Sequence, residues 1–390
     1  MGGLPRQAGL YIHFPFCRKR CHYCDFNTYA VPEIPAEPYT RAVLRELEER
    51  RGELGEARLV SVFFGGGTPG LWGAGAVGRV LRAVEGAFGG VDALEVTIEV
   101  NPGECDEAML RAYREVGVNR VSFGVQSLDD TLLLAMDRIH TADEAREALR
   151  AVGRAGFRRW SCDLMFGLPG QTITRWERDL AEVVALGASH VSAYNLMVEE
   201  GTPLARFVRD GKVRLPPESR QVRMLERAVA VLGDAGLGRY EISNFARPGE
   251  ESVHNLLYWT GRPYLGIGAG AHSFVPGVGV GNLASLGRRS TNVRKFGEYM
   301  DAVGRTGVAI TFSEDIDPET HVRERLMTGL RLDRGLDVED VLAVTGIDVR
   351  ERFERVLRGL IRDGLVVDDG RLRLTPQAVA VSDSVFRRFF

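Results

Sequence analysis

Six short runs rich in β-branched and aromatic residues alternate along this chain with longer segments of helical period. The runs are GLYIHF (9–14), RLVSVFF (58–64), LEVTIEV (94–100), NRVSFGV (119–125), RRWSCDLMF (158–166) and SHVSAYNLM (189–197). Helical periodicity falls near 38–53, 74–87, 106–116, 141–155, 173–187 and 217–236. A strand that feeds a helix and returns to the same sheet does so in parallel and with a right-handed crossover, so six consecutive units predict an α/β fold with a parallel sheet. Such a sheet stays open or curls into a barrel. In both cases functional groups gather at the C-terminal ends of the strands.

A length of 390 residues fits one such domain plus an appendage. After about residue 238 the alternation becomes irregular, and residues 239–274 mix aromatics, glycines and polar residues. From about 317 the composition changes again. Two helices, near 337–346 and 349–364, precede LVVDDGRLRLT, which reads as a hairpin turning at DDG. The division expected is therefore 1–238 for the six-unit domain, 239–316 for an irregular segment and 317–390 for a helical, winged-helix-like appendage. No basic recognition helix stands out in that appendage, so it reads as a lid or packing module and not as a nucleic-acid reader.

The formal charge of −3 supplies no basic field to recruit nucleic acid or an acidic membrane surface. The N-terminus lacks the apolar core of a signal peptide, and no apolar run reaches membrane-spanning length. The expectation is a cytoplasmic protein whose thiols stay reduced, so that clustered cysteines bind metal or react.

The chain has five cysteines, and three of them, Cys17, Cys21 and Cys24, fall within YIHFPFCRKRCHYCDF (11–26). Thiolates are soft ligands for zinc or for iron–sulfur clusters. Structural zinc normally takes four protein ligands, for which His13 or His22 is the available fourth. A cubane cluster on three thiolates leaves one iron open instead. Spacing alone leaves a cluster, a zinc site and unligated thiols all standing. Cys162 lies in an apolar run and reads as a core residue, and Cys105 as an ordinary loop residue.

Unusual residues follow the other strands as well. GGGTP (65–69) follows the second, Glu99 and NP (101–102) end the third, QS (126–127) follows the fourth and GLPGQT (167–172) the fifth. Singly, each reads as a turn or a strand-end hydrogen-bonding group. Together they converge on one rim.

With Tyr23 before the last cysteine, this set resembles the radical S-adenosylmethionine (SAM) superfamily. Within it, the motifs resemble the branch of the oxygen-independent coproporphyrinogen III dehydrogenases and the HemW-type haem chaperones, over about residues 8–385. The resemblance implies a partial (β/α)6 TIM-like barrel and a 4Fe–4S cluster ligated by Cys17, Cys21 and Cys24. It implies SAM chelated at the open iron through its amino and carboxylate groups. Tyr11, Gly66 and Glu99 match positions that contact the cluster-bound SAM. Tyr23, Gly67, Thr68, Gln126, Arg138 and Asp163 match positions lining a second SAM site in the dehydrogenase, and His272 matches a SAM-adjacent position. The chemistry agrees: glycines allow close backbone approach, Glu99 and Asp163 are acceptors for ammonium or ribose hydroxyls, and Arg138 is a fork for a carboxylate.

Three departures separate the chaperone from the dehydrogenase. The first strand begins about ten residues from Met1, without the dehydrogenase's extension; Phe26 stands where the dehydrogenase has a further cysteine; and HNLLYW (254–259) matches a signature associated with the chaperones. The resemblance therefore implies haem contacts at His254, Tyr258 and Trp259, with histidine as an axial ligand and the aromatics over the ring. It implies haem and an unidentified haem-acceptor protein as partners, with peripheral contact to any membrane-bound acceptor. A coproporphyrinogen III dehydrogenase, another radical SAM enzyme, and a zinc-loop binding protein remain as alternatives. His140, His190 and His321 read as structural.

Overall fold

The computed structural model describes residues 7–90, 94–277 and 285–390, so the first six residues of the expected barrel domain lie outside the described residues. Twelve strands form one sheet: β1 (Gln7–Phe14), β2 (Arg58–Gly66), β3 (Glu95–Val100), β4 (Arg120–Gln126), β5 (Arg159–Phe166), β6 (His190–Asn195), β7 (Gly238–Glu241), β8 (Asn244–Ala246), β9 (Tyr264–Ile267), β10 (His272–Pro276), β11 (Gly287–Asn292) and β12 (Ile310–Ile316). Their order is β12-β11-β10-β9-β1-β2-β3-β4-β5-β6-β8-β7. The six predicted runs are β1 to β6, joined in parallel. The helices Ala36–Arg50, Ala74–Phe88, Glu107–Glu115, Ala142–Arg154, Ile173–Ala185 and Glu218–Asp234 lie at the predicted positions. This is a partial, TIM-like α/β barrel, curled but not closed.

The two faces of the sheet differ with the period-2 alternation of strands. On one face Leu10, Ile12, Phe14, Val62, Phe64, Ile98, Phe123 and Leu164 are fully buried in the main core. Each contributes roughly 1.5–3 kcal/mol by leaving water. On the other face Tyr11, Thr97, Glu99, Ser122, Ser161, Asp163 and Ser192 line a polar cavity of about 180 Å³ inside the barrel. Strand-to-helix connections carry their own signals. In GLPGQT, Gln171 accepts from the Leu168 N–H at 3.2 Å and donates to Met165 O at 3.1 Å, while Thr172 caps the next helix.

The described residues of 239–316 are not irregular. They supply β8 to β12 and helices Val253–Trp259 and Phe296–Thr306, and Leu265, Ile267, Tyr299 and Val303 belong to the barrel's own core. The expected boundary at 238 therefore cuts through one unit, because β9 pairs in parallel with β1 and β8 pairs antiparallel with β6. A buried ion pair fastens this segment. Glu46 and Arg50, one helical turn apart and almost fully buried, meet at 2.9 Å. Glu46 also accepts from Tyr299 Oη (2.7 Å) and the Gly268 N–H (2.9 Å), and Arg50 donates to Gly266 O (3.0 Å) and Ser273 Oγ (3.1 Å).

Residues 322–389 build a second core of their own. It contains helices Pro318–Gly329, Val338–Thr345 and Glu354–Arg362 and an antiparallel pair, Val366–Asp368 with Leu372–Leu374, turning at Asp369-Gly370. This unit touches one rim of the sheet through a bridge between Glu241 in β7 and Leu332. The opposite rim, β12, is exposed over all but its last residue, and Arg288–Asp315 and Arg289–Glu314 ion pairs link it to β11.

Candidate functional site

The three clustered cysteines sit past the C-terminal end of β1. Cys17 ends a short strand (Phe16–Cys17) paired with Tyr29–Ala30, and the Cys24 N–H donates to Cys21 O across a tight turn at 3.2 Å. All three thiols face one cavity of about 430 Å³, whose wall continues through Gly66, Gly67, Glu99, Gln126, Arg138 and Asp163. The rim that the sequence predicts is thus assembled.

The loop after β2 is laced to the root of the cysteine loop. Gly67 N–H donates to Phe14 O and Thr68 N–H to Phe16 O, both at 2.8 Å. Two of its glycines are required. Gly66 has φ +115°, and a Cβ there would collide with the His13 ring; a Cβ on Gly67 would meet the Phe16 carbonyl oxygen at 2.5 Å. The Gly66 N–H donates to Glu99 Oε2 at 3.0 Å. Asn101 donates to Thr68 Oγ1 at 2.9 Å, which holds the third strand's NP motif against the second strand's loop. Gln126 is left-handed at φ +67°, an uncommon state for a non-glycine residue, and it turns the chain at the cavity edge.

Arg138 is the least exposed cation of this site, which Lys19 and Arg20 also line. It donates to Cys21 Sγ at 3.3 Å, to Asn101 Oδ1 at 2.8 Å and to Gly124 O at 2.6 Å, and its buried Nε has no partner among the described residues. Tyr23 lines the same cavity beside it. The carboxylates are perturbed. Burial, then the charge of Asp163, pushes Glu99 up to about 8, against the opposing Gly66 N–H. Burial also raises Asp163, whose oxygens accept from Ser122 Oγ at 3.1 and 3.3 Å. Burial pushes the Cys17 thiol up to about 12, so its thiolate needs a bound cation for stability.

This donor set fits an iron–sulfur cluster with a nucleotide-sized ligand beside it. Three thiols share a cavity with a glycine cradle whose Cβ positions are filled by backbone and ring, and a guanidinium donates to the sulfur of Cys21. A single zinc at bond lengths of about 2.3 Å would draw three sulfurs to within about 4 Å of one another; among the described residues no three Cys, His, Asp or Glu groups meet closely enough to hold one ion. Neither candidate fourth ligand is placed to join. Both His13 nitrogens are engaged, with Tyr11 Oη (3.0 Å) and Asn27 O (2.9 Å), and His22 Nε2 is paired with Asp137 at 3.2 Å.

Family models described as the radical SAM superfamily and the HemN C-terminal domain match residues 11–183 and 316–381. The heme chaperone HemW of Bacillus subtilis (strain 168) is 33% identical over 381 residues, covering 97% of this chain and 98% of its own. The heme chaperone HemW of Synechocystis sp. is 36% identical over 335 residues, covering 84% and 78%. This chain belongs to the HemW family of radical SAM proteins. Coproporphyrinogen III oxidase (HemN) from Escherichia coli shares the fold, with TM-score 0.83 at 23% identity over 99% of this chain and 90% of its own.

The HemW-family motif lies apart from the cysteines. Helix Val253–Trp259 plugs the barrel at the N-terminal ends of the strands, opposite the cysteine rim. His254 N–H donates to Glu95 at the start of β3 (3.1 Å), and its ring lies beside Gly9 at the start of β1. His254 is 1% exposed, stacks on Phe63, and engages both nitrogens: Nδ1 with Ser61 Oγ at 2.9 Å and Nε2 with Tyr258 Oη at 2.8 Å. Burial holds its pKa down at about 3. With both nitrogens engaged, His254 here links β2 to Tyr258. Trp259 faces the C-terminal unit, with the Arg331 guanidinium 4.4 Å from its ring centroid and its carbonyl accepting from Arg325 at 3.0 Å.

Tyr258 and Tyr11 face a second cavity, of about 460 Å³, which shares Phe26, Gly66 and Glu99 with the first. Tyr11 is therefore not in the wall of the cysteine cavity. His272 also lines the second cavity. His140 and His190 are buried and hydrogen-bonded, to Val125 O (3.1 Å) and Tyr240 Oη (3.0 Å), and Cys162 is fully buried in the core. The sequence reading missed Arg294, which lies in this second wall, and Asn101, which ties two loops together. Asn101 stood in the quoted NP motif, whereas Arg294 carries no local signal.

Proposed function

We propose that this chain binds haem and passes it to an acceptor protein, carrying a 4Fe–4S cluster on Cys17, Cys21 and Cys24 with SAM at the open iron. The observation that carries the reading is the near end-to-end similarity to heme chaperones of HemW, in a chain whose three thiols face one cavity. When bound, the cluster supplies an open iron site and a one-electron donor.

The chain's own residues prepare that site. Arg138 screens the negative charge of the sulfurs and presents a fork for a carboxylate. Gly66 and Gly67 bring backbone to the ligand's edge. Glu99 and Asp163 stand as acceptors for an ammonium and a ribose hydroxyl, and a cationic ligand beside Glu99 drives its proton off. Residues 317–390 act as a packing module seated on the helix that carries HNLLYW. Among the described residues no helix is long and apolar enough to cross a membrane, so a membrane-bound acceptor would be met by peripheral contact.

The test is anaerobic reconstitution followed by two parallel assays. Haem titration should give a saturable complex, and incubation with coproporphyrinogen III, SAM and reductant should yield no protoporphyrinogen IX. Rapid decarboxylation without haem binding would replace the chaperone with the dehydrogenase.

A further inference from the structure

Away from the cysteine rim, a cavity of about 190 Å³ opens between the C-terminal unit and the turn that follows helix Val253–Trp259. That turn lies at the N-terminal end of the sheet, where the Pro263 carbonyl accepts from the Gly9 N–H of β1 at 3.1 Å. The cavity shares no lining residue with the two at the mouth of the barrel. Its wall is charged. Arg262 comes from the turn, and Arg325, Arg334 and Arg371 come from the C-terminal unit. Two carboxylates, Asp337 and Asp340, stand among them, so four guanidinium charges meet only two negative ones.

The carboxylates do not use up the guanidiniums. Arg371 is paired with Asp337 at 2.7 Å, and Asp337 also caps helix Val338–Thr345 by accepting from the Asp340 N–H. Asp340 is left with two arginines beyond hydrogen-bond length, Arg325 at 3.6 Å and Arg262 at 3.8 Å. Arg334 is exposed, with no ion pair or hydrogen bond among the described residues. Arg325 is the buried member of the set. It is 6% exposed, and its hydrogen bond runs from Nη1 to the Trp259 carbonyl at 3.0 Å. Gly261, at φ +60°, makes room for it, since a Cβ there would meet Arg325 Cδ at 2.4 Å. Burial brings the Arg325 pKa down to about 10 against the pull of Asp340, and the like charges of Arg262 and Arg334 act in the same direction as burial. A guanidinium so enclosed, with one carbonyl and a distant carboxylate, is short of negative charge.

We infer that this junction is a binding site for an inorganic phosphate or pyrophosphate anion, held by the guanidiniums of Arg262, Arg325 and Arg334. Guanidinium forks take phosphoryl oxygens two at a time, and forks supplied by separate elements suit a tetrahedral anion better than the single flat edge of a carboxylate. The volume lies below the usual range for whole small molecules, which suits a compact anion and not a nucleotide. The site also has a structural consequence. Arg262 belongs to the barrel, whereas Arg325 and Arg334 belong to the part of the chain that builds the second core. All three meet only while the two are docked, so the anion stabilises the docked state by mass action. The clamp acts where the C-terminal unit rests on the helix that carries HNLLYW, through Arg325 and the Trp259 carbonyl. Asp340 competes with the anion for Arg262 and Arg325.

The experiment is calorimetric titration of the anaerobically reconstituted full-length protein with pyrophosphate, phosphate and succinate at matched ionic strength, alongside thermal melting followed by circular dichroism. Pyrophosphate should bind saturably and raise the melting midpoint, and succinate should bind at least tenfold more weakly. Arg334→Gln should weaken pyrophosphate about tenfold, as expected for losing one charge-assisted contact. Its side chain is exposed and unpaired among the described residues, so the variant should fold as the wild type does. Asp340→Asn should tighten binding, because it removes the competing carboxylate; a purely structural Asp340 would not produce that gain. Arg305→Gln, an exposed arginine on helix Phe296–Thr306 outside the cavity, should change nothing. No saturable binding by the wild type, or equal affinity in the wild type, Arg334→Gln and Asp340→Asn, overturns the site. Succinate binding as tightly as pyrophosphate overturns the assignment to a phosphoryl anion.

Discussion

Replacing His254 by alanine tests whether the motif's histidine holds the barrel together or holds a metal. In the wild type its ring joins the buried Ser61 hydroxyl in β2 to the part-buried Tyr258 hydroxyl. Alanine leaves the Ser61 hydroxyl buried without a partner, at about 1–3 kcal/mol, while Tyr258 can turn to its cavity. Loss of the stacking on Phe63, 5.1 Å away, adds about 0.5–1 kcal/mol. The expected loss is about 1–4 kcal/mol. Urea unfolding of the full chain, followed by circular dichroism, should show a lower midpoint with an unchanged slope. The haem spectrum of whatever complex forms should keep its ligand field. The loss should also depend on pH. The folded ring stays neutral down to about 3, whereas the unfolded chain takes up a proton near 6.5. The wild type therefore loses stability as pH falls from 6.5 toward 3, and His254→Ala flattens that part of the profile. A loss below about 0.5 kcal/mol, or a changed ligand field with unchanged stability, would refute the structural role.

Four other outcomes follow from the geometry. Cys17, Cys21 and Cys24 changed together to alanine should abolish the cluster, read as loss of iron and sulfide from anaerobically prepared protein. Gly66→Ala should weaken SAM binding, measured by equilibrium dialysis, and cost about 1–3 kcal/mol of stability, because its φ of +115° and the His13 ring both oppose a Cβ. SAM affinity should rise by up to about tenfold per pH unit until pH reaches about 8, where Glu99 loses its proton unaided, and then level off; Glu99→Gln should flatten the profile. Glu46→Ala should cost about 1–3 kcal/mol in chemical unfolding, since it leaves the buried Gly268 N–H and Tyr299 hydroxyl without their acceptor while Arg50 keeps its two-pronged pair with Glu53.

The barrel was legible because its outward strand positions are almost purely apolar. Leu10, Ile12 and Phe14 alternate with Tyr11 and His13, and every one of the six strands repeats the device. The rim was legible because Gly66, Glu99, Gln126 and Asp163 break those patterns at strand ends or beside them. Residues 239–316 were not, for a physical reason. β9 is four residues long and pairs with β1 across about 250 residues of chain, and no local pattern records such a partner. His254 shows the opposite failure. A histidine and a tyrosine one helical turn apart predict mutual contact, but the spacing was read as presenting both to a ligand. Glu46 and Arg50 gave a usable signal, two charges on the buried stripe of a helix with Tyr39, Val43 and Leu47, which implies a partner inside the protein.

A sheet that curls without closing has to manage two rims, and this one treats them differently. The β7 rim is covered by the C-terminal unit through Glu241 and Leu332. The β12 rim faces water with Phe312 52% exposed, presenting a row of backbone groups that another strand could extend. Glu314 and Asp315 lie on that rim, tied to Arg289 and Arg288 of the neighbouring strand. A strand arriving from another copy would have to bury or break those pairs, so the charges act as gatekeepers against self-association. Replacing both acids by valine should turn the rim into a sticky edge, visible in light scattering as concentration-dependent growth while the monomer's circular dichroism stays native.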